Sequence, residues 1–235
     1  GFATKEEINN MTFYETKIIN RGQKQLDSTY FGQWVDADLG YAFDDYVCCD
    51  IDRGLGICYN GDNFDDGAFG YGTNPPSVGV DFFEGPLADA EVIFSGNGDG
   101  IDNDGDGQTD ELDTTYFSYF RAMGMDLPII YEGDGVDNNR NGQVDEPNED
   151  IAMSKFVYYD NNFTPYGNPR SENRSDFYNY LTARWKNGDC IRFGGNGNTT
   201  ATGECTDFMF PDDPRDADGW SEVSSNNQPN DRRFL

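Results

Sequence analysis

The sequence predicts a mainly β protein: an antiparallel β-sandwich with an acidic insertion and one or two short helices. Three observations predict this fold class. The 235 residues include 14 Tyr and 18 Phe, and such aromatic content favours sheets. Short aromatic and β-branched stretches alternate with turns rich in Gly, Asn and Asp. The middle of the chain is strongly acidic. We therefore expect the first part of the sandwich at 1–98, the insertion at 99–150 and the remainder at 151–235.

Seven stretches have the composition of strands, because their residues pack well on a pleated surface. The first two are separated by a polar segment and predict a hairpin. The fifth alternates Val with Gly and Asp, as expected for a strand with one covered face. The stretches are "MTFYETKIIN" (11–20), "TYFGQWV" (29–35), "YAFDDYVCCDI" (41–51), "GLGICYN" (54–60), "SVGVDFF" (77–83), "SKFVYYD" (154–160) and "RRFL" (232–235).

Helical spacing occurs in two places. "SDFYNYLTARWKNG" predicts a helix at 175–187, with Ser175 as the N-cap and Gly188 beyond the end. A second short helix is predicted at 113–124, within the insertion. The apolar face of the first helix would consist of Phe177, Tyr180, Leu181 and Trp185.

Charge and composition exclude several classes of function. The chain has 16 basic and 44 acidic residues, and a net charge of −28 repels nucleic acid and anionic lipid. No apolar run approaches the roughly 18 residues that span a bilayer. Histidine is absent, which excludes Ser-His-Asp and Cys-His nucleophiles and histidine-ligated zinc. We expect neither a nucleic-acid partner nor membrane insertion.

Five cysteines occur without a C-x-x-C pair, so their spacing supports neither a zinc ribbon nor a thioredoxin-like site. We expect Cys190 to pair with Cys205 across a loop rich in Gly, Asn and Thr, a crosslink worth about 3 kcal/mol on the chain-entropy model. Cys58 would pair with Cys49 or Cys48 and leave one thiol over. The alternative is that all five are reduced and buried. A secreted, oxidising location fits the composition better.

The acidic insertion contains an internal repeat. Residues 99–150 hold 15 acidic and two basic residues, and one pattern occurs twice, as "GDGIDNDGDGQTDE" (98–111) and "GDGVDNNRNGQVDE" (133–146). Without an ion, such crowded carboxylates repel one another. Calcium takes six to eight oxygens, which a loop supplies from alternate residues when a glycine follows the third ligand. The repeat therefore predicts two calcium-binding loops in preference to a solvated acidic linker. Magnesium is disfavoured, because it prefers a stiff octahedron with several waters.

Each loop would supply side chains at positions 1, 3 and 5, a carbonyl at position 7 and two closing carboxylates. The first loop's predicted ligands are Asp102, Asp104, Asp106, Gln108, Asp110 and Glu111. The second loop has two Asn in place of Asp, so we expect it to bind more weakly or through coupling to the first. Its predicted ligands are Asp137, Asn139, Asn141, Gln143, Asp145 and Glu146. Both loops resemble the calcium repeats of thrombospondin type 3 and dockerin modules.

A wider resemblance covers nearly the whole chain. Stretches such as "GQWVDADLG", "DDYVCCD", "YGTNPPSVGVDFFEGP", "YNYLTARWKNG" and "DRRFL" are similar to large surface or secreted proteins of bacteria that use the type 9 secretion system. Cys48 departs from that pattern, since a glycine is expected there. The resemblance implies an extracellular or cell-surface location, and a chain that is an internal portion of a longer protein. It implies no established activity and no catalytic residues.

These observations lead to three alternative predictions of function. The first is a non-enzymatic, calcium-binding extracellular module of an adhesin-like or structural surface protein. The second is a glycan-binding or glycan-cleaving domain, in which tryptophans stack on sugars and paired carboxylates act as acid and base. The third is a secretion cargo segment docked on envelope proteins. The residues that the second would use are Trp34, Trp185, Trp220, Asp36, Asp38, Asp44 and Asp45.

More ordinary roles exist for those residues, since tryptophans more often fill cores and aspartates more often cap turns. A third metal site is also conceivable, although the spacings of its candidate ligands are unspecific. These candidates are Asp36, Asp38, Asp44, Asp45, Asp62 and Asp65.

Overall fold

The computed structural model divides into two compact units, 1–30 and 31–235, which are described separately. In the described part of the chain the strands form antiparallel sheets, accompanied by a single α-helix and short 3-10 turns, so the prediction of a mainly β protein is confirmed. The described residues are 7–19, 21–22, 29–83, 85, 92–94, 129–131, 137, 140, 142–143 and 151–235.

In the described residues of the first unit, the strand predicted at 11–20 is not formed. A 3-10 turn covers Glu7–Asn10, and residues 11–19 are irregular. In the second predicted strand, 29–34 are irregular as well, so the hairpin is not formed among the described residues. Strand propensity mainly measures how well a side chain packs on a pleated, half-buried surface. The side chains of this stretch are mostly exposed, namely Met11, Phe13, Tyr14, Ile18 and Ile19.

In the first three-stranded sheet, β2 (Asp45–Asp50) pairs with β3 (Leu55–Asn60), which pairs in turn with β6 (Ser77–Asp81). The strand order is therefore β2-β3-β6. These strands confirm three of the sequence predictions. Residues 45–49 of β2 are all buried, whereas β3 alternates between buried and half-buried side chains, and β6 is mostly exposed.

The second three-stranded sheet brings distant parts of the chain together. Its central strand β10 (Arg232–Phe234) lies between β1 (Val35–Asp36) and β9 (Tyr158–Asp160), and both pairs are antiparallel. The strands predicted at 154–160 and 232–235 are thus confirmed in shorter form. Two further pairs join β4 (Phe64–Asp65) to β5 (Gly72–Thr73), and β7 (Val92–Phe94) to β8 (Ile129–Tyr131).

The two three-stranded sheets meet at Gly56 of β3. A Cβ atom at this position would lie 2.7 Å from the ring of Phe234 and 2.8 Å from that of Phe156, so only glycine allows this approach. On the other side of the second sheet, the ring of Tyr159 stacks on Tyr180 with centroids 4.8 Å apart. The second sheet is therefore packed between the first sheet and the helix. The full face-to-face sandwich stays a prediction.

The helix α1 (Arg174–Leu181) is shorter than predicted. Its N-cap is Asn173, whose side-chain oxygen accepts a hydrogen bond from the Ser175 N–H at 3.2 Å, so the prediction of Ser175 as the cap is wrong by two positions. The helix ends at 181 because Ala183 has a left-handed φ of +53°. Of the predicted apolar face, Tyr180 and Trp185 are buried, Leu181 is half-buried and Phe177 is exposed. The helix predicted at 113–124 lies outside the described residues.

The predicted disulfide between Cys190 and Cys205 is formed, with Cα atoms 5.7 Å apart. The second predicted disulfide is not, since Cys48, Cys49 and Cys58 are buried free thiols. The strand register explains this correction. Cys58 lies opposite Val47, which makes Cys49 its diagonal neighbour and places Cys48 on the opposite face of the sheet. Diagonal pairs have Cα atoms roughly 7 to 8 Å apart, which exceeds the reach of a disulfide.

Candidate metal centres

The first predicted calcium loop lies between two paired strands. Strand β7 pairs with β8 in the register Val92 to Tyr131. The strand ends that flank the connection 95–128, Phe94 and Ile129, are therefore paired neighbours. This arrangement suits an insertion. The connection itself is outside the described residues, and with it the predicted ligands Asp102, Asp104, Asp106, Gln108, Asp110 and Glu111.

Part of the second loop is described, and it closes on its first predicted ligand. The Gly142 N–H, at position 6 of the loop, donates to the Asp137 carboxylate at 2.8 Å. Gly142 has a φ of +90° and Arg140 one of +59°, so the backbone turns sharply at positions 4 and 6. Gln143 follows at position 7 and is exposed. The remaining predicted ligands of this loop, Asn139, Asn141, Asp145 and Glu146, lie outside the described residues.

Arg140 attaches the second loop to the following part of the protein. Its guanidinium donates to the backbone carbonyl of Met153 at 2.7 Å and lies 5.0 Å from the centre of the Phe208 ring. This cation–π contact is of the kind that arginine forms with aromatic faces. This role was not predicted from the sequence, although a lone arginine inside an acidic loop was a usable signal.

A group of three carboxylates lies at one edge of the second sheet. Asp36, Asp38 and Asp231 each place an oxygen within 4.8 Å of the others. Arg233 already supplies positive charge, since it donates to Asp36 at 2.8 Å and to Asp231 at 2.9 Å. Burial raises the pKa of Asp36, Arg233 opposes that rise and Asp38 adds to it. Asp36 and Asp38 were predicted as candidate ligands, whereas Asp231, which is distant in sequence, was not. Asp62, another candidate, is exposed and caps a backbone N–H at 2.7 Å.

Two other candidate metal ligands, Asp45 and Asp65, are buried, and each is 1% exposed. An Asp45 oxygen accepts from the Leu39 N–H at 3.1 Å, and an Asp65 oxygen accepts from the Tyr41 N–H at 2.8 Å. Burial raises the pKa of Asp45 to about 7, with the charges of Asp44 and Asp65 adding to that effect. Asp44, which is half-buried, accepts from a backbone N–H at 2.8 Å.

The tryptophans divide between core and surface. Trp185 and Trp220 are buried, and their indole N–H groups donate to backbone carbonyls at 2.9 Å each. These two are core residues. Trp34 is 50% exposed, and its indole N–H donates to the Tyr159 hydroxyl at 2.6 Å, which fixes the orientation of the ring. Trp34 precedes Asp36 by two positions, which is the spacing of one strand face.

A buried charge network holds the last strand against β2. The Glu222 carboxylate accepts from the Val47 N–H at 2.8 Å and from Arg232 at 2.6 Å. Arg232 also pairs with Asp160 and lies 5.0 Å from the Tyr158 ring centre. Burial raises the pKa of Glu222, and Arg232 opposes that rise. Every group in this network has a protein partner, so its role is structural.

Compared with known proteins, the chain matches no family model, no curated protein and no solved structure. The resemblance to proteins of the type 9 secretion system thus stays a prediction. In the part of the chain that the structure describes, no helix is long and apolar enough to cross a membrane.

Proposed function

We propose that this chain is a calcium-binding extracellular module, without enzymatic activity of its own, of a larger secreted or cell-surface protein. The observation that carries the proposal is the hydrogen bond from the Gly142 N–H to Asp137 at 2.8 Å. It closes the turn between the first and sixth loop positions, as a loop must do to direct alternate side chains at one ion. The duplicated spacing of Asp, Asn and Gly gives the same expectation for the first loop.

The chemistry of the ligands favours calcium. Carboxylate, amide and carbonyl oxygens are the ligands of hard cations, and a long glycine-containing loop tolerates the six to eight ligands that calcium takes. Bound ions would also reduce the repulsion among the 15 acidic residues of 99–150. Their role in this proposal is to stabilise the insertion.

An extracellular location is supported by the Cys190–Cys205 disulfide, since such bonds persist in oxidising compartments. The three free thiols are compatible with that location. Burial raises the pKa of Cys48 to about 12 and that of Cys49 and Cys58 further, so their thiolate forms are scarce. Docking on envelope proteins, the third function considered, rests on the sequence resemblance alone.

The test combines metal analysis with thermal unfolding in calcium and in excess EDTA. We expect about two calcium ions per chain and a melting temperature that falls by many degrees on chelation. Asp137→Asn should lose about one ion, whereas the control Asp218→Asn, an exposed acid outside the loops, should lose none. A chain that binds no calcium and melts at the same temperature in EDTA contradicts the proposal.

A second candidate function, glycan binding, is favoured by the fixed and half-exposed ring of Trp34. An oriented, half-exposed indole is suited to stacking on a sugar ring. Cleavage is less favoured, because the neighbouring carboxylates lie within 4.8 Å of one another and share Arg233, whereas catalytic pairs stand roughly 5 to 9 Å apart. Titrations of tryptophan fluorescence with xylan and with chito-oligosaccharides test this function. A change that Trp34→Ala abolishes supports it, and no change with any probe contradicts it.

A further inference from the structure

A cavity of about 600 Å³ lies beside the Cys190–Cys205 disulfide. Its volume falls within the range of roughly 300 to 1,000 Å³ that is typical of small-molecule sites. Both cysteines line it, together with Arg184, Arg192 and several polar side chains. In the described part of the chain, its lining includes neither Trp34 nor a predicted ligand of the repeated loops. It is called the disulfide cavity below.

The two arginines are placed next to the disulfide by short backbone bridges. Arg184 forms an isolated antiparallel bridge with Cys190, and Arg192 forms one with Cys205. Residues that lie directly opposite each other in an antiparallel pair project their side chains to the same face, with Cβ atoms roughly 4.5 to 5.5 Å apart. Each arginine therefore stands beside one half of the disulfide. Because the disulfide joins the two halves, both arginines border the same cavity.

The two guanidinium groups are anchored but not neutralised. Arg184 donates to the Gly188 carbonyl at 3.0 Å, and Arg192 donates to the Gly203 carbonyl at 3.1 Å. A guanidinium has five N–H donors, so each arginine keeps most of its donors for another partner. In the described part of the chain, neither arginine forms an ion pair with a carboxylate. This is notable in a chain with 44 acidic residues.

Two acids also line the disulfide cavity, Asp189 and Asp207. Asp207 is already paired with Lys155 at 2.8 Å. Asp189 is exposed and accepts a hydrogen bond from the Asn187 side chain at 2.6 Å. With the two arginines, three positive and two negative side chains leave one positive charge at the cavity. The rest of the chain is strongly negative, since its net charge is −28.

We propose that the disulfide cavity binds a uronic acid, a sugar ring that carries one carboxylate, with Arg184 and Arg192 holding that carboxylate. The planar fork of a guanidinium matches a carboxylate in two parallel hydrogen bonds, which a lysine cannot reproduce. The cavity has the size of a small-ligand site and a surplus of positive charge, so a small ligand with a single negative group fits it.

Asp189 separates a sugar acid from a bare inorganic anion. A carboxylate in the lining would repel sulfate or phosphate, but it accepts hydrogen bonds from the hydroxyl groups of a sugar ring. Three threonines contribute further hydroxyl groups to the same lining, namely Thr182, Thr199 and Thr206. The walls therefore offer guanidinium donors for one end of the ligand and a polar surface for its ring.

The net charge of the chain limits the size of this ligand. At about 0.15 M salt, charges further than about 8 Å away are largely screened, so one carboxylate responds mainly to the two arginines. A long acidic polysaccharide would instead meet the negative charge of the whole surface. The inference rests neither on calcium binding nor on stacking at Trp34, and the probe is a monosaccharide.

The test is calorimetric titration of the full chain with galacturonic acid at physiological salt. We expect one site, with binding at least about tenfold tighter than that of galactose, which lacks the carboxylate, or acetate, which lacks the ring. Arg184→Gln and Arg192→Gln should each weaken binding by about tenfold or more. Arg215→Gln is the matched control, because Arg215 is exposed and lies outside the cavity lining. It should leave the affinity unchanged.

Two further variants separate this site from those proposed above. Trp34→Ala and Asp137→Asn should bind galacturonic acid like the wild type, since neither residue lines the disulfide cavity. Loss of binding in either variant would place the ligand elsewhere and overturn the inference. Arg184→Gln and Arg192→Gln should leave the bound calcium count unchanged, so failure here and failure of the proposed function are distinguishable.

Three other results overturn the inference: no binding of galacturonic acid, equal binding of galactose or acetate, and full affinity in both glutamine variants. Thermal unfolding of each variant shows that it is folded before it is titrated. Arg184→Lys provides a milder variant, because it keeps the charge and loses the planar fork. It should weaken binding severalfold, and full affinity in this variant would contradict the two parallel hydrogen bonds.

Discussion

The guanidinium of Arg140 lies 5.0 Å from the centre of the Phe208 ring, and this contact joins the second acidic loop to the core of the protein. Phe208 precedes Met209 and Phe210, both fully buried, and forms an isolated bridge with Phe156. Because this contact attaches the loop to the core, an ion bound to the loop would also stabilise the core. Without such a contact, calcium binding to the loop would leave the stability of the core unchanged.

Replacing Arg140 with Ala should therefore uncouple calcium binding from stability. We expect the bound calcium count to stay the same while the calcium-dependent rise in melting temperature becomes clearly smaller. Scanning calorimetry with and without calcium measures the difference. The matched control is Arg215→Ala, since Arg215 is exposed and its ion pair is with the nearby Asp213. An unchanged calcium-dependent rise in Arg140→Ala would show that Phe208 does not carry the coupling.

The Cys190–Cys205 bond should contribute measurably to stability. It closes a span of 15 residues, for which the chain-entropy model gives about 3 kcal/mol. The double variant Cys190→Ser/Cys205→Ser should lose stability of that order in urea unfolding. Wild-type protein treated with a reductant should lose a similar amount. A loss well below about 1 kcal/mol would mean that the denatured chain already keeps this loop closed.

The three remaining cysteines should behave as protected thiols. Because burial raises the pKa of Cys48 to about 12, and shifts Cys49 and Cys58 in the same direction, the native protein should react very slowly with a thiol reagent. After unfolding in urea without a reductant, all three should titrate. Detection of only one would show that Cys58 is paired after all.

Much of the sheet structure could be predicted from the sequence, because strand patterns are local. The stretches that became β2, β3 and β6 have aromatic and β-branched residues between turn-forming residues, and their partners are neighbours in sequence. The stretch at 11–20 has a similar composition but no strand in its described part, since a strand also needs an edge to pair with. Composition alone does not reveal whether that edge exists.

The candidate sites, like the strands, could be predicted from the sequence only where their residues follow a local pattern. A repeated, regularly spaced set of predicted ligands is visible in the sequence, as for Asp102 and Asp137. The trio around Asp36 is not, because Asp231 joins it only when β10 inserts beside β1. Asp45 and Asp65 are intermediate, because both were candidates from the sequence but their burial is a property of the packed structure.

The close approach of the two sheets at Gly56 should make this position intolerant of a side chain. In Gly56→Ala the new Cβ would lie 2.7 Å from the Phe234 ring, and overpacking of this kind costs roughly 1 to 3 kcal/mol. Gly79→Ala is the matched control on the neighbouring strand, since its Cβ would meet only the flexible end of Leu55 at 3.1 Å. Urea unfolding of both variants compares them. Equal losses would contradict the idea that Phe234 defines the sheet contact.

The acid stability of the protein should depend on Asp176 in α1. The Arg170 guanidinium, which donates to this fully buried carboxylate at 2.7 Å, lowers the pKa of Asp176 from 3.8 to about 2. A carboxyl with a lowered folded pKa stabilises the protein above the unfolded pKa, and this contribution is lost as pH falls from about 4 to about 2. Asp176→Asn should therefore flatten the fall in unfolding free energy across that window, with proton uptake on unfolding reduced by up to about one.

Asp213 provides the matched control for that prediction. Arg215 likewise lowers the pKa of Asp213 to about 2, but both side chains of this pair are largely exposed. Its effect should shrink in high salt, because screening weakens exposed pairs, whereas the effect of the buried Asp176 should persist. Urea unfolding at pH values between about 2 and 5, in low and high salt, measures both variants. If Asp176→Asn and Asp213→Asn lose their effects equally in salt, burial does not protect the Arg170 contact, and the helix N-terminus is more open than the structure shows.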